Sequence, residues 1–154
     1  MSQTVFNTMK DFCTLLIDDD DLIRDSLGIV FNANSQQFIA VESAEKGLDL
    51  IEKKKIDVII CDYRLPGMNG FEFFKRVSKF LPNVVKILIT AYGDDEELCS
   101  LAKEIGIDAV IKKPFSPEII LNALTELLKW GCVLLLYFAG RPAVSRPGCF
   151  KKTE

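Results

Sequence analysis

Short apolar runs alternate with amphipathic helical patterns along most of the chain. Five short runs consist mainly of apolar residues, which is typical of strands buried on both faces; they cover residues 13–17, 38–41, 58–61, 84–90 and 109–111. After each run, apolar residues recur as on one face of a helix: Ile23, Leu27, Val30 and Phe31; Leu48 and Ile51; Phe71, Phe74 and Val77; Leu98, Leu101, Ala102 and Ile105; Ile120, Ala123, Leu124, Leu127 and Leu128. This alternation predicts an α/β fold, a single doubly wound five-stranded parallel sheet with helices on both faces.

Residues that favour the N-cap position precede three of the predicted helices. Ser43 is predicted to cap the second helix, and Asp94 the fourth. Ser116 precedes Pro117 and Glu118, the typical order of cap, proline and acid at a helix start. These positions indicate where the three helices begin.

Polar and charged side chains follow four of the predicted strands. The first strand ends in four consecutive aspartates, residues 18–21, the third in Asp62 and the fourth in Thr90, while Lys113 follows the fifth. Ligands of open parallel sheets bind beyond the carboxyl ends of the strands. We therefore expect these side chains to meet at one edge of the sheet.

Asp18, Asp19 and Asp62 would place three carboxylates in one cleft. Such like charges repel one another, and Mg2+ relieves the repulsion because it binds carboxylates, water and phosphate oxygens. With Lys113 opposite, the site would be close to neutral and receptive to a phosphoryl group. We hypothesise that Asp62 is phosphorylated while Asp18 and Asp19 hold Mg2+. Thr90 and Lys113 would each bind one phosphoryl oxygen.

Aspartates after a strand also suit a helix N-terminus, where the macrodipole favours negative charge. Asp20 and Asp21 are interpreted in this way, as the cap and a first-turn acid of the first helix. For Asp18 and Asp19, the order of the other strand-end residues along the chain favours the metal site.

Four segments resemble the motifs of the receiver domain of two-component response regulators, and the resemblance covers residues 14–129. Residues 15–20 resemble its acidic strand, and residues 57–70 its phosphoacceptor strand and loop. Residues 87–91 are similar to its switch-threonine motif, and residues 113–115 to its lysine–proline motif, whose peptide bond is usually cis. Each motif alone is weak, but all four in the family's order are specific.

The resemblance implies a phosphoacceptor in the cytoplasm rather than an enzyme. The family takes a phosphoryl group from a sensor histidine kinase or a phosphotransfer protein onto the aspartate, here Asp62, and its own chemistry is self-phosphorylation and slow self-dephosphorylation. Mg2+ is required, Mn2+ can substitute for it, and the backbone carbonyl of Arg64 would complete the metal site. The implied fold is flavodoxin-like with strand order 2-1-3-4-5.

Phosphorylation in the family draws the threonine inward and remodels the face formed by the fourth helix, fifth strand and fifth helix. That face would contact an output partner or a second copy of the chain. One departure concerns the aromatic that usually stands three residues before the lysine, because Val110 occupies that position here. Arg64 and Tyr92 occupy the two variable positions that usually tune the phosphoryl lifetime.

The composition excludes several classes of function. None of the 154 residues is histidine, so catalysis by a Ser-His-Asp triad and His-ligated zinc sites are excluded. The net charge of −3 argues against direct binding of nucleic acid, which needs a basic face. An odd number of widely spaced cysteines predicts free thiols: Cys13, Cys61, Cys99, Cys132 and Cys149.

Three alternatives stand beside the receiver. A Mg2+-dependent phosphohydrolase of the haloacid-dehalogenase type would use Asp18, Asp20 and the acidic segment 93–95, but its lysine should precede that segment, and Asp62 would be unexplained. A flavodoxin-like FMN protein needs a phosphate loop after the first strand, where the aspartates would repel phosphate. A degenerate receiver that only binds partners would lack the intact site.

The chain is expected to divide into an N-terminal extension (1–12), the receiver domain (13–129) and a C-terminal tail (130–154). Residues 130–140 are strongly apolar but too few to span a bilayer. We expect them to pack on the domain or to pair with another copy or a partner. Residues 141–154, with Pro, Gly and Ser, are typical of a flexible end.

Overall fold

The computed structural model describes residues 11–34, 36–137 and 150–151. Its strands are β1 (Cys13–Ile17), β2 (Gln37–Val41), β3 (Val58–Asp62), β4 (Val85–Thr90) and β5 (Ala109–Lys112). They pair in parallel in the order β2-β1-β3-β4-β5, so the predicted fold class and strand order are confirmed. A two-residue strand, β6 (Phe150–Lys151), pairs in parallel with the outer edge of β5. Two residues are too few to carry a strand pattern, and this addition was not predicted.

Within the described ranges, five helices cover the sheet: α1 (Asp21–Ala33), α2 (Ala44–Lys53), α3 (Gly70–Phe80), α4 (Glu96–Ile105) and α5 (Pro117–Tyr137). Helices α1 and α5 pack against one face, and α2, α3 and α4 against the other. The predicted boundary after residue 129 lies within α5, and the division into receiver and tail stays a prediction. Among the described residues, no helix combines the length and the apolar character needed to cross a membrane.

Successive residues of each buried strand face opposite helical layers. Leu15 and Ile17 of β1 pack on the side of α2, α3 and α4, whereas Leu16 packs with α1 and α5. The three described cysteines, Cys13, Cys61 and Cys99, are free and buried. The side chain of Cys132 is outside the described part of the structure. The predicted flexible segment 141–154 is also outside it, apart from the two residues of β6.

Two predicted helix caps are confirmed, and one is wrong. Asp20 caps α1 through the Leu22 N–H, and the Ser43 side chain accepts from the third N–H of α2. Helix α4 is capped by Asp95 instead of Asp94, because Asp95 Oδ1 accepts two backbone N–H groups of its first turn. Asp94 forms an ion pair with Lys112 of β5.

The loop after β3 folds back so tightly that α3 begins against the end of its own strand. A Cβ at Gly70 would lie 2.6 Å from the backbone oxygen of Asp62, so only glycine fits there. The Asn69 side chain caps α3 in a capping box with Glu72. This packing fixes Asp62 at the edge of the sheet, where ligands of this fold class bind.

Candidate functional site

The ends of β1 and β3 bring three carboxylates together. One oxygen from each of Asp18, Asp19 and Asp62 lies within 4.8 Å of the other two; we call these three residues the acidic cluster. Asp18 is fully buried, Asp62 is 5% exposed and Asp19 is exposed. The predicted convergence of these residues is therefore present in the fold.

Asp18 presents an oxygen that lacks a hydrogen bond. Its Oδ1 accepts the Asp20 N–H at 2.9 Å, and its backbone oxygen accepts from the Arg24 guanidinium at 2.8 Å. Its Oδ2 is buried without a hydrogen-bond partner and lies 3.5 Å from Lys113 Nζ. Buried polar atoms usually have partners, so this oxygen, among hard carboxylate ligands, fits a divalent cation.

Lys113 closes the site from the opposite side. Its Nζ donates to Asp62 Oδ2 at 2.9 Å, so the positive charge expected near the carboxylates is present. Burial lowers the pKa of Lys113, but the hydrogen bond to Asp62 and the charge of Asp18 outweigh it, so the pKa is raised. Lys113 therefore stays protonated. The Lys113–Pro114 bond is cis, as the resemblance implied.

Burial raises the pKa of Asp18 to about 6 in the metal-free protein, and the charge of Asp62 adds to the rise. Between about pH 4 and 6, Asp18 is therefore protonated in the folded state and ionised in the unfolded state. The free energy of unfolding of the metal-free protein falls as pH rises through that window.

We expect Mg2+ to displace this proton. At pH values below about 6, the apparent affinity for Mg2+ should decrease with pH, and the decrease should approach tenfold per pH unit. Calorimetric titration at a series of pH values measures this affinity. The exposed Asp49→Asn variant is the control and should follow the wild-type curve. An affinity that is constant between about pH 5 and 7 would contradict the raised pKa of Asp18.

Thr90 lies at the end of β4, which pairs with β3. Its side chain is 1% exposed, and its hydroxyl oxygen accepts the Tyr92 N–H at 3.0 Å. The Lys113 N–H donates to its backbone oxygen at 2.8 Å. The Tyr63 N–H likewise donates to the Ile89 backbone oxygen at 2.8 Å, so hydrogen bonds join the ends of β3, β4 and β5 next to Asp62.

Two contacts at the site were not predicted from the sequence. The Arg64 N–H approaches Asp62 Oδ1 at 3.4 Å, and the Arg64 guanidinium lies over the Tyr92 ring. Arg64 and Tyr92 are far apart in the chain, and no sequence signal pairs them. Val110 stands where the family usually has an aromatic residue, and its aliphatic side chain is buried in the core on the side of α2, α3 and α4.

Apart from Asp18, the carboxylates that the phosphohydrolase alternative needs have other partners. Asp20 caps α1, Asp95 caps α4 and Asp94 pairs with Lys112. In the part of the chain that the structure describes, none of them joins the acidic cluster.

The Cys61 thiol beside Asp62 is buried, and this burial raises its pKa well above the usual value, so it is not a nucleophile.

Comparison with known proteins identifies one domain that contains the residues of the acidic cluster, Thr90 and Lys113. The family model of the response regulator receiver domain matches residues 14–125. Sporulation initiation phosphotransferase F of Bacillus subtilis is 32% identical over 114 residues, which are 74% of this chain and 91% of the relative. The hydrogenase transcriptional regulatory protein HoxA of Cupriavidus necator is 30% identical over 120 residues, 78% of this chain and 25% of the relative. The chain thus spans only a quarter of that relative.

Solved structures are similar over the same region. A CheY-like receiver domain protein from Methanospirillum hungatei has a TM-score of 0.72 and 29% identity, and the match covers 77% of this chain and 94% of that one. The chemotaxis response regulator CheY4 of Vibrio cholerae has a TM-score of 0.69 and 26% identity over 75% of this chain and 98% of its own.

Proposed function

Since this chain belongs to the response regulator receiver domain family, we propose that Asp62 is the residue that accepts the phosphoryl group. The observation that carries the proposal is that Asp62 lies within 4.8 Å of the other two carboxylates and accepts a hydrogen bond from Lys113 Nζ at 2.9 Å. Receiver domains act in two-component signalling as phosphoacceptors. The assignment therefore concerns which residues of this chain perform that role.

The acidic cluster supplies the ligands for a Mg2+ ion, and Mn2+ would fit the same oxygens. Asp18, Asp19 and Asp62 would contribute carboxylate oxygens, and Arg64 would add its backbone carbonyl, as the resemblance to the family implies. A bound cation neutralises carboxylate and phosphoryl charge. The buried oxygen of Asp18 that lacks a hydrogen bond supports this assignment.

The reaction itself needs a positioned nucleophile and fixed charge. A carboxylate oxygen of Asp62 attacks the phosphorus in line, the new O–P bond forms and the bond to the donor's leaving group breaks, with its electron pair going to that group. Lys113 neutralises one phosphoryl oxygen, and the Thr90 hydroxyl donates to another. Asp62 then carries an acyl phosphate, which is removed by hydrolysis.

Several partner assignments belong to the same proposal. The donor is a sensor histidine kinase or a phosphotransfer protein, in the cytoplasm, and the face of α4, β5 and α5 contacts an output partner or a second copy. Direct contact with nucleic acid or a membrane is not part of the proposal. Arg64 and Tyr92, both exposed beside Asp62, slow the attack of water on the acyl phosphate.

The test is binding of beryllofluoride, a phosphoryl mimic, followed by amide NMR. We expect amides of Asp62, Thr90 and Lys113 to shift when Mg2+ and beryllofluoride are both present and not with beryllofluoride alone. Release of p-nitrophenol from p-nitrophenyl phosphate should amount to at most one equivalent of protein in the first phase, and then continue only at the slow rate of self-dephosphorylation. Many rapid turnovers per chain would instead support the phosphohydrolase alternative and contradict the proposal.

A further inference from the structure

The side chains of Arg64 and Tyr92 form a contact between the loops that follow β3 and β4. The guanidinium carbon lies 5.0 Å from the centre of the Tyr92 ring, within the range of a cation–π interaction. Both side chains line a surface cleft together with residues of α3, α4 and the β3 end: Tyr63, Phe71, Asp95, Glu97, Leu98 and Leu101. Tyr92 is 43% exposed, so its ring can move without disturbing the core.

Each member of the contact is linked to one proposed phosphoryl-binding residue. The Arg64 N–H approaches Asp62 Oδ1 at 3.4 Å, and the Tyr92 N–H donates to Thr90 Oγ1 at 3.0 Å. A new group on Asp62 therefore acts on the contact from both sides. Val110, by comparison, is buried and aliphatic, so β5 offers no ring there that could respond.

The charge that phosphorylation adds favours separation of Arg64 from the ring. A phosphoryl group carries more negative charge than the carboxylate it modifies, and it offers three acceptor oxygens. A guanidinium binds such a group through two parallel charge-assisted hydrogen bonds, which are stronger than an exposed cation–π contact. Thr90 must also turn its hydroxyl towards the phosphoryl group, which alters its bond with the Tyr92 N–H.

We infer that Tyr92 reports the phosphorylation state of Asp62, with Arg64 as the residue that positions it. In the unphosphorylated protein, Arg64 holds the Tyr92 ring at the edge of the cleft. In the phosphorylated protein, Arg64 turns to the phosphoryl group and releases the ring, so the cleft beside α4 changes shape. The inference rests on the proposed function, because it needs a phosphoryl group on Asp62.

The experiment uses the full chain labelled with 3-fluorotyrosine and read by fluorine NMR. The chain has three tyrosines, and the signal lost in the Tyr92→Phe variant identifies Tyr92. Mg2+ and beryllofluoride should shift this signal in the wild type. In Arg64→Ala, the signal should already lie away from its wild-type position before addition, and the further shift should be lost. Arg76→Ala, which removes an exposed arginine of α3, should behave as the wild type does.

Arg64→Lys is the second variant, because it keeps the charge without the planar donor pair; its shift should lie between those of wild type and Arg64→Ala. Amide signals of Asp62 and Thr90, recorded on the same samples, separate the two proposals. If these amides respond to beryllofluoride while the Tyr92 signal stays fixed, or moves equally in Arg64→Ala, the inference is overturned and the phosphoacceptor site stands. If the amides do not respond, the proposed function itself fails.

Discussion

Replacing Asp62 with asparagine should abolish phosphorylation of the chain. The amide keeps the shape of the side chain, but it lacks the negative oxygen that attacks phosphorus and the charge that pairs with Lys113 at 2.9 Å. We expect label uptake from radioactive acetyl phosphate to fall at least about a hundredfold. Initial uptake in the presence of Mg2+ measures the effect.

The matched control is Asp49→Asn, which makes the same chemical change at an exposed position of α2. It should take up label at the wild-type rate. Circular dichroism should show that both variants are folded, because the amide oxygen in Asp62→Asn can still accept the neighbouring backbone N–H. Undiminished uptake in Asp62→Asn would assign the phosphoryl group to another residue.

The second large effect is expected from Asp18→Asn, which should stabilise the metal-free protein and remove its response to Mg2+. Burial makes the charge of Asp18 costly, as its pKa of about 6 indicates. Above that pH, removing the charge should add on the order of 2 kcal/mol to the free energy of unfolding. Loss of a direct carboxylate ligand should weaken Mg2+ binding by more than roughly tenfold.

Chemical denaturation with and without Mg2+ at about pH 7.5 tests both parts of this prediction. Asparagine keeps an oxygen that can accept the Asp20 N–H, so the local loop should survive. Asp20→Asn, which changes the neighbouring cap residue, serves as the control and should keep the Mg2+ response. If Asp18→Asn is less stable than the wild type without metal, the charge of Asp18 is not costly. If the variant still responds fully to Mg2+, Asp18 is not a metal ligand.

The sequence predicted the existence and type of strands β1 to β5 and helices α1 to α5, because each strand carries an apolar run and each helix a periodic apolar pattern. The apolar run 58–61 is an example: it reappears as a strand with every residue buried. The strand-end residues followed from one rule about parallel sheets, and Asp18, Asp19, Asp62 and Lys113 accordingly meet in the fold.

Features that depend on contacts between distant segments could not be predicted. Asp94 and Asp95 are equally good caps by residue type; in the fold Asp95 caps α4, whereas Asp94 pairs with Lys112 at the end of β5. The contact of Arg64 with Tyr92 depends on how the loops after β3 and β4 approach each other. The parallel addition of β6 to β5 likewise has no local signal.

The buried oxygen of Asp18 shows the same limit at the site itself. The sequence places a carboxylate after β1, but burial and hydrogen bonding decide which of its two oxygens is free to bind a cation. The Asp20 N–H occupies one oxygen, and the other has no such partner. This asymmetry arises only when the first turn of α1 is folded.

The most direct measurement is to map where the phosphoryl group resides after incubation with acetyl phosphate. Borohydride converts an aspartyl phosphate into homoserine, which peptide mass spectrometry locates in the chain. We expect homoserine at position 62 when Mg2+ is present, and almost none when the metal is chelated. Homoserine at a different aspartate, or equal conversion without any divalent metal, would contradict the account.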